Sequence, residues 1–319
     1  MVKILANDGI SKSGIEALEE KGFEVITEKV NQEDLISTIN SENYEVLLVR
    51  SATTARKELI DACPNLKIIG RGGVGMDNID VEYAKEKGLE VYNTPAASSS
   101  SVAELVFSHL FGMVRFLYES NRQMPLEGDT NFKDLKKAYA GGKELAGKTL
   151  GIIGFGKIGQ EVAKRAIGLG MNVLTHDKFT TEASITLSFF NGDKKTFTIE
   201  TTSLENVLEG SDFVTLHIPK TGEKAVIGAE EIGLMKTGAG IINTARGGVI
   251  DEDALMFALD KGKLEYAALD VFTNEPNPSM YLMMHNSISL TPHIGAATLE
   301  AQDRIGAELA DKIITFFNK

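Results

Sequence analysis

Short apolar runs alternate along most of the chain with longer segments whose apolar positions recur at spacings of three and four. The first pattern suits strands buried on both faces and the second suits helices lying against them, so the sequence predicts an α/β protein built on parallel sheets. In the first third, strands are predicted over 3–6, 23–27, 45–49, 66–70 and 89–92, each followed by a polar or glycine-bearing turn and a helical stretch. A long helix is predicted over 101–121, with Val102, Leu105, Val106, His109, Leu110 and Met113 on one stripe. Residues 125–142 are polar and lysine-bearing and read as a surface crossing. A second set of elements opens at Lys148, with strands over 149–153, 172–176, 213–217, 240–244, 266–270 and 287–290 and a closing helix over 298–317. The segment 184–202 differs: two alternating runs flank Asn191 and Gly192, which predicts an inserted hairpin closed by a type I′ turn.

The length of 319 residues suits two domains at ~150 residues each. With 43% hydrophobic and 24% charged residues, disorder and fibrous classes are excluded. Against 33 Lys and Arg stand 45 Asp and Glu, a formal charge of −12. That argues against a nucleic-acid or anionic-membrane surface, because phosphates are held by clustered Lys and Arg. The single cysteine, Cys63, cannot close an internal disulfide, and no Cys/His cluster has zinc-site spacing, so a reducing compartment and no metal are expected. The opening MVKILANDG is strand-like, without the basic and then long apolar segments of a signal peptide. The most apolar stretch, 105–114, is too short to span a bilayer. A cytoplasmic protein is expected.

Candidate chemistry starts at GFGKIG, residues 154–159, which follows the apolar run TLGII and opens a helix with Ile158, Val162, Ala166 and Leu169 on one face. Gly154 can make the tight turn, Gly156 leaves room for a pyrophosphate against the backbone, and Gly159 lets helix and strand pack closely. The free N–H groups and positive dipole end of that helix favour phosphate. Asp177 ends the next predicted strand, about 20 residues on, where a carboxylate accepts hydrogen bonds from the adenosine ribose hydroxyls. A carboxylate there repels a 2′-phosphate, so NAD is the expected cofactor, with Lys178 as a nearby base. A second glycine cluster, GRGGVGMDNID at 70–80, has Asn78 where a third glycine would fall and does not read as a second nucleotide site, though its backbone N–H groups suit an anion.

Arg246, Asp270, Glu275 and His293 each follow a predicted strand in the second half. Ligands of open α/β sheets bind outside the carboxyl ends of the strands, so these residues are expected to face the cofactor crevice. Together GFGKIG with Asp177, NTARGGVID, ALDVFTNEP and LTPHIGA, in this order, resemble the D-isomer-specific 2-hydroxyacid dehydrogenases over essentially the whole chain. VRSATT at 49–54, GRGGVGMDNID, NTP at 93–95 and HIGAATLEAQDRIG at 293–306 look most like its phosphoglycerate dehydrogenase branch.

The resemblance implies two doubly wound parallel-sheet domains. A flavodoxin-like substrate domain takes 1–98 plus 292–319, and a Rossmann NAD-binding domain takes 99–291. It implies that Arg246 binds the substrate carboxylate and polarises the C2 oxygen, a task for a planar, permanently charged fork. His293 takes and returns the C2 hydroxyl proton, and Glu275 orients the imidazole and stabilises its charged form. Lys157, Ile158, Thr244, Ala245, Asp270, Gly295 and Ala296 line the dinucleotide in this reading, with His217 as a further cofactor-lining position. The backbone of Val74 and Gly75 holds the substrate carboxylate. Arg50 and Arg71 are the candidates for a 3-phosphate, which needs fixed, fork-shaped donors; pairing with nearby carboxylates is the alternative for both. Lys136 and Lys137 are weaker candidates for the same role. Ser98 departs from the asparagine usual at its position.

The implied activity is NAD-dependent oxidation of 3-phospho-D-glycerate to 3-phosphohydroxypyruvate, a step of serine synthesis, in a homodimer acting on small anions with no nucleic-acid or membrane partner. The chain ends with its last helix, so a short form without a C-terminal regulatory domain is expected. Another dehydrogenase of the class, such as a hydroxypyruvate or glyoxylate reductase, remains an alternative, and a non-enzymatic NAD-sensing binding protein on the same scaffold is a more distant one.

Overall fold

The computed structural model describes residues 1–318, which form two compact units. Met1–Ser101 and the chain from Ala296 onward make the first, and Val102–Gly295 the second. These crossings fall three to four residues beyond those implied by the resemblance, so the His293 loop belongs to the same unit as Glu275.

The first unit alternates β1 (Lys3–Ala6), α1 (Lys12–Glu19), β2 (Glu24–Ile26), α2 (Leu35–Glu42), β3 (Val46–Val49), α3 (Lys57–Ala62), β4 (Ile68–Arg71), α4 (Val81–Glu86) and β5 (Glu90–Asn93). Its sheet is parallel in the order β2-β1-β3-β4-β5. All four residues of β3 are buried, as a central strand covered on both faces requires. β1 connects outward to β2 on one side and β3 connects outward to β4 on the other, so a crevice opens at the carboxyl ends of the β1/β3 pair.

The chain enters the second unit along α5 (Ser99–Val114), followed by α6 (Leu117–Glu127), α7 (Phe132–Ala138), β6 (Thr149–Ile153), α8 (Lys157–Gly168), β7 (Asn172–His176), β8 (Glu182–Ser188), β9 (Lys194–Glu200) and α9 (Leu204–Gly210). Then come β10 (Phe213–Leu216), α10 (Ala229–Leu234), β11 (Ala239–Asn243), α11 (Glu252–Asp260), β12 (Leu264–Leu269), α12 (Met280–Met283) and β13 (Ile288–Leu290). Six strands form a parallel sheet in the order β13-β12-β11-β10-β6-β7. Apolar side chains of β6, β11 and β12 pack with α5 and α8 in one layer, and those of β10, β11 and β12 with α9–α11 in the other. The last helix, α13 (Leu299–Phe317), returns to the first unit, capped by Thr298 Oγ1, which accepts from Ala301 N. It lies so close to α1 that a Cβ on Gly14 would sit 2.9 Å from the Gly306 backbone. No single helix among the described residues is long and apolar enough to cross a membrane.

Three expectations need correction. The helix predicted over 101–121 is two helices, α5 and α6, bent by 55°. Phe116 takes a left-handed φ of 53°, and the Val114 carbonyl accepts from Lys143 N instead of continuing the helix. The buried stripe ends at Val114, and α6 buries none of its residues, so packing gives no reason for one straight helix. The crossing predicted over 125–142 is mostly helical: α6 runs through Pro125 and α7 follows. The hairpin is present as β8–β9, but its turn is not type I′, because Asn191 lacks the positive φ that this turn needs. Gly192 N donates to Phe189 O, Phe189 N donates to Asp193 O, and Gly192 alone is left-handed at φ 89°. This is the three-residue loop, a turn followed by a glycine bulge.

Candidate active site

In the second unit the strand order reverses between β6 and β10, which places a crevice at their carboxyl ends. GFGKIG leaves β6 there and His217 leaves β10. Gly154, at φ 99°, lies so close to β10 that a Cβ would be 2.4 Å from the His217 carbonyl oxygen. A Cβ on Gly159 would be 2.1 Å from the Gly154 carbonyl oxygen. One on Gly156 would meet nothing within 4 Å. The first and third glycines thus serve the packing of the turn, and the second faces open space. Gly156 is also the N-cap of α8 and has no side chain to occupy the first-turn N–H groups, with Lys157 and Ile158 following it. That cradle fits a pyrophosphate.

Asp177, just past β7, ties the cradle to its neighbour. Its Oδ2 accepts from Phe155 N at 2.7 Å, and its Oδ1 from Phe179 N at 2.8 Å and Thr180 N at 2.9 Å. Burial pushes its pKa up, but these three amides outweigh burial and hold the carboxyl below the usual range. The negative charge that disfavours a 2′-phosphate is therefore fixed in place.

Further round the crevice, the Thr244 hydroxyl and His217 Nδ1 are covered yet have no hydrogen-bond partner among the described residues. Such orphans are costly, and both stand where a cofactor is expected. His217 Nε2 lies 3.1 Å from Thr215 Oγ1, and burial pushes its pKa down to about 3. The ring stays neutral in the fold but takes a proton near pH 6.5 when unfolded, so the unfolded chain binds more protons below that pH. Urea melts should show stability falling as pH drops from 7 to 5, and His217→Asn should lose less over the same interval.

The catalytic candidates come from three neighbouring strand ends. After β11, the buried Asn243 folds its own loop, accepting from Ala245 N at 3.0 Å and donating to Arg246 O at 2.8 Å. The Arg246 guanidinium donates from Nη1 to Ala245 O at 2.6 Å. Gly247 sits against the turn after β12, where a Cβ would be 1.8 Å from Phe272 O. In that turn Phe272 N donates to Glu275 Oε1 at 2.9 Å, and Glu275 Oε2 lies 2.8 Å from His293 Nδ1. Arg246, Glu275 and His293 are thereby joined through contiguous loops. A carboxylate only accepts, so Nδ1 carries the proton and Nε2 is the ring nitrogen left to exchange one with a substrate.

Asp270 is almost fully buried, and its oxygens serve the His293 loop. Oδ1 accepts from Thr291 Oγ1 at 2.6 Å and Ile294 N at 2.8 Å, and Oδ2 from Gly295 N at 2.8 Å. His293 itself has φ 55°, a left-handed backbone that few side chains adopt, so the loop needs such fixing.

In the first unit, Arg50 follows β3 and Arg71 ends β4, and the two strands pair with Val49 opposite Arg71. Asp8 holds the Arg50 turn, its Oδ2 accepting from Arg50 N at 2.7 Å and Thr53 N at 3.0 Å and its Oδ1 from Thr53 Oγ1 at 2.8 Å. Asn78 donates to Arg50 O at 2.8 Å, and Asn93 to Val74 O at 2.7 Å, beside Gly75. Asn7, Asp8, Lys29, Arg50 and Ser51 line a cavity of about 450 Å³ at the β1/β3 reversal. Ala296 begins the chain's return to this unit, and its carbonyl accepts from Gln302 at 2.7 Å. Lys136 and Lys137 stand exposed in the last turn of α7. Sequence reading passed over Asp8 and Asn243, since a lone carboxylate or amide after a strand gives no signal until its partners are known.

The family model for the NAD-binding domain of D-isomer specific 2-hydroxyacid dehydrogenases matches residues 107–295. The chain is 42% identical over 316 residues to a hydroxypyruvate reductase of Thermotoga maritima, covering 98% of this chain and 97% of that one. It is 41% identical over 315 residues to a D-3-phosphoglycerate dehydrogenase of Methanocaldococcus jannaschii, covering 98% of this chain but 57% of the other, so it spans little more than half the length of that relative. A solved glyoxylate reductase from Paecilomyes thermophila has a TM-score of 0.81 at 29% identity, covering 99% of this chain and 94% of that one.

Proposed function

The chain belongs to the D-isomer-specific 2-hydroxyacid dehydrogenases, and from that premise we propose that it oxidises 3-phospho-D-glycerate to 3-phosphohydroxypyruvate with NAD. The observation that carries the phosphate is the pair Arg50 and Arg71 at the ends of adjacent strands, with the Arg50 turn held by Asp8. Arginine is the side chain suited to a phosphate, since its fork donates two parallel bonds.

NAD, when bound, supplies the hydride acceptor for C2. Arg246 holds the carboxylate and draws charge onto the C2 oxygen. His293 Nε2 takes the hydroxyl proton as the carbonyl forms, and Glu275 stabilises the resulting imidazolium across its 2.8 Å contact. In the reverse direction His293 gives that proton back. Asp177 favours NAD over NADP through its fixed charge.

The Thermotoga maritima relative, matched over 97% of its length, favours a second reading, hydroxypyruvate reduction by the same residues. A substrate panel under both cofactors separates the two. Turnover of 3-phospho-D-glycerate with NAD is expected; turnover of hydroxypyruvate or glyoxylate alone would remove the phosphate from the proposal. Arg50→Ala should raise KM for the phosphorylated substrate about tenfold or more, the scale of one lost charge-assisted contact, and leave KM for hydroxypyruvate much less changed. Equal effects on both would count against Arg50 as the phosphate handle.

A further inference from the structure

One buried group lies outside this chemistry. His109, in the middle of α5, is only 4% exposed, yet both ring nitrogens are engaged: Nδ1 is 2.8 Å from Ser289 Oγ and Nε2 is 3.1 Å from Thr291 Oγ1. The proton order follows from the far end of the chain of contacts. Asp270 accepts the Thr291 hydroxyl proton at 2.6 Å, so Thr291 Oγ1 has no proton left to give and must accept from His109 Nε2–H. Nδ1 of the neutral ring then accepts from Ser289. Burial pushes the His109 pKa down, against the pull of Asp270, which agrees with a neutral ring.

The result is a directed path from Ser289 to His109, Thr291 and Asp270. Asp270 passes it on, since its carboxylate also accepts from Ile294 N and Gly295 N, the two amides immediately after His293. Thr291 touches the same turn again, its carbonyl accepting from His293 N at 3.1 Å. We propose that His109 is a positioning residue for the reaction: by donating to Thr291 it fixes the Thr291–Asp270 pair and, through it, the left-handed turn that aims His293 at the substrate. This rests on the reading of His293 as the acid/base.

Removing the donor leaves the Thr291–Asp270 pair free to rotate and the turn loosely held. His109→Leu should therefore lower kcat about ten- to a hundredfold, the scale at which partners behind a reacting group act, with KM and NADH affinity little changed. His109→Gln, which keeps a donor, should recover most of that loss. Thr291→Val should match His109→Leu, and Thr291→Ser should match the parent. Because the two residues act along one path, the His109→Leu/Thr291→Val double variant should lose far less than the product of the single losses. Nitrogen NMR should report the Nε2–H tautomer for His109.

A His109→Leu protein that melts lower but keeps kcat, additive losses in the double variant, or an Nδ1–H tautomer would each overturn the proposal. If His109→Leu does not fold, the Gln and Thr291 variants carry the test. Parallel His293→Ala kinetics separate the two levels: intact turnover there sinks the acid/base reading itself, whereas a dead His293→Ala beside a fully active His109→Leu sinks only the role of His109.

Discussion

His293→Ala is expected to cut turnover by about a thousandfold, within the range a positioned general base contributes, while NADH still binds. The two outcomes separate because His293 is not part of the glycine cradle: its side chain is 41% exposed and its Nδ1 pairs with Glu275. Without the imidazole the C2 hydroxyl proton must leave to water as the C2 hydrogen departs as hydride, and the barrier rises with no change in how the dinucleotide is held. Glu275→Gln should fall between parent and alanine variant, since the amide can still orient the ring but supplies no charge to the imidazolium. Steady-state kinetics with fluorescence titration of NADH checks both. Unchanged turnover in His293→Ala would remove it from the proton transfer.

The three glycines of the cradle should respond to alanine in two different ways. Gly156→Ala should leave the melting temperature close to the parent's, because its φ of −75° suits any residue and the new Cβ meets no protein atom within 4 Å. NAD affinity should nonetheless fall about tenfold or more, which is 1.4 kcal/mol or more, since the methyl takes space reserved for the pyrophosphate. Gly159→Ala should destabilise the fold, by about 1–3 kcal/mol as overpacking does, because its Cβ would lie 2.1 Å from a backbone oxygen that cannot turn aside. Gly154→Ala adds the strain of a φ of 99° to a 2.4 Å clash with the His217 carbonyl. Melting curves beside NAD titrations distinguish these patterns. A stable Gly156→Ala with parental NAD affinity would mean that the cofactor does not approach the turn there.

Much of this architecture follows from local rules. The strands at 3–6 and 149–153 fall where the apolar runs lie, because a strand buried on both faces needs an apolar run and little else. GFGKIG is legible because each glycine answers a backbone need at a fixed offset from a strand, whereas strand ends only nominate Arg246, Glu275 and His293, and their expected roles come from the family resemblance. The pattern misled over 101–121: the helix predicted there breaks after Val114, where the buried stripe ends and the Val114 carbonyl accepts from Lys143 N.

The sequence by itself therefore determined the class of fold, the dinucleotide cradle and which side chains stand at the ends of the strands. Tertiary structure alone decided how those side chains are held: Asp8 under the Arg50 turn, Asn243 under Arg246, and the line from His109 through Thr291 to Asp270 beneath His293. The physical reason is range. A turn, a cap or a buried strand is specified by residues a few positions apart, whereas a hydrogen bond between His109 and Thr291 joins positions 182 apart and exists only once α5 has packed beside β13.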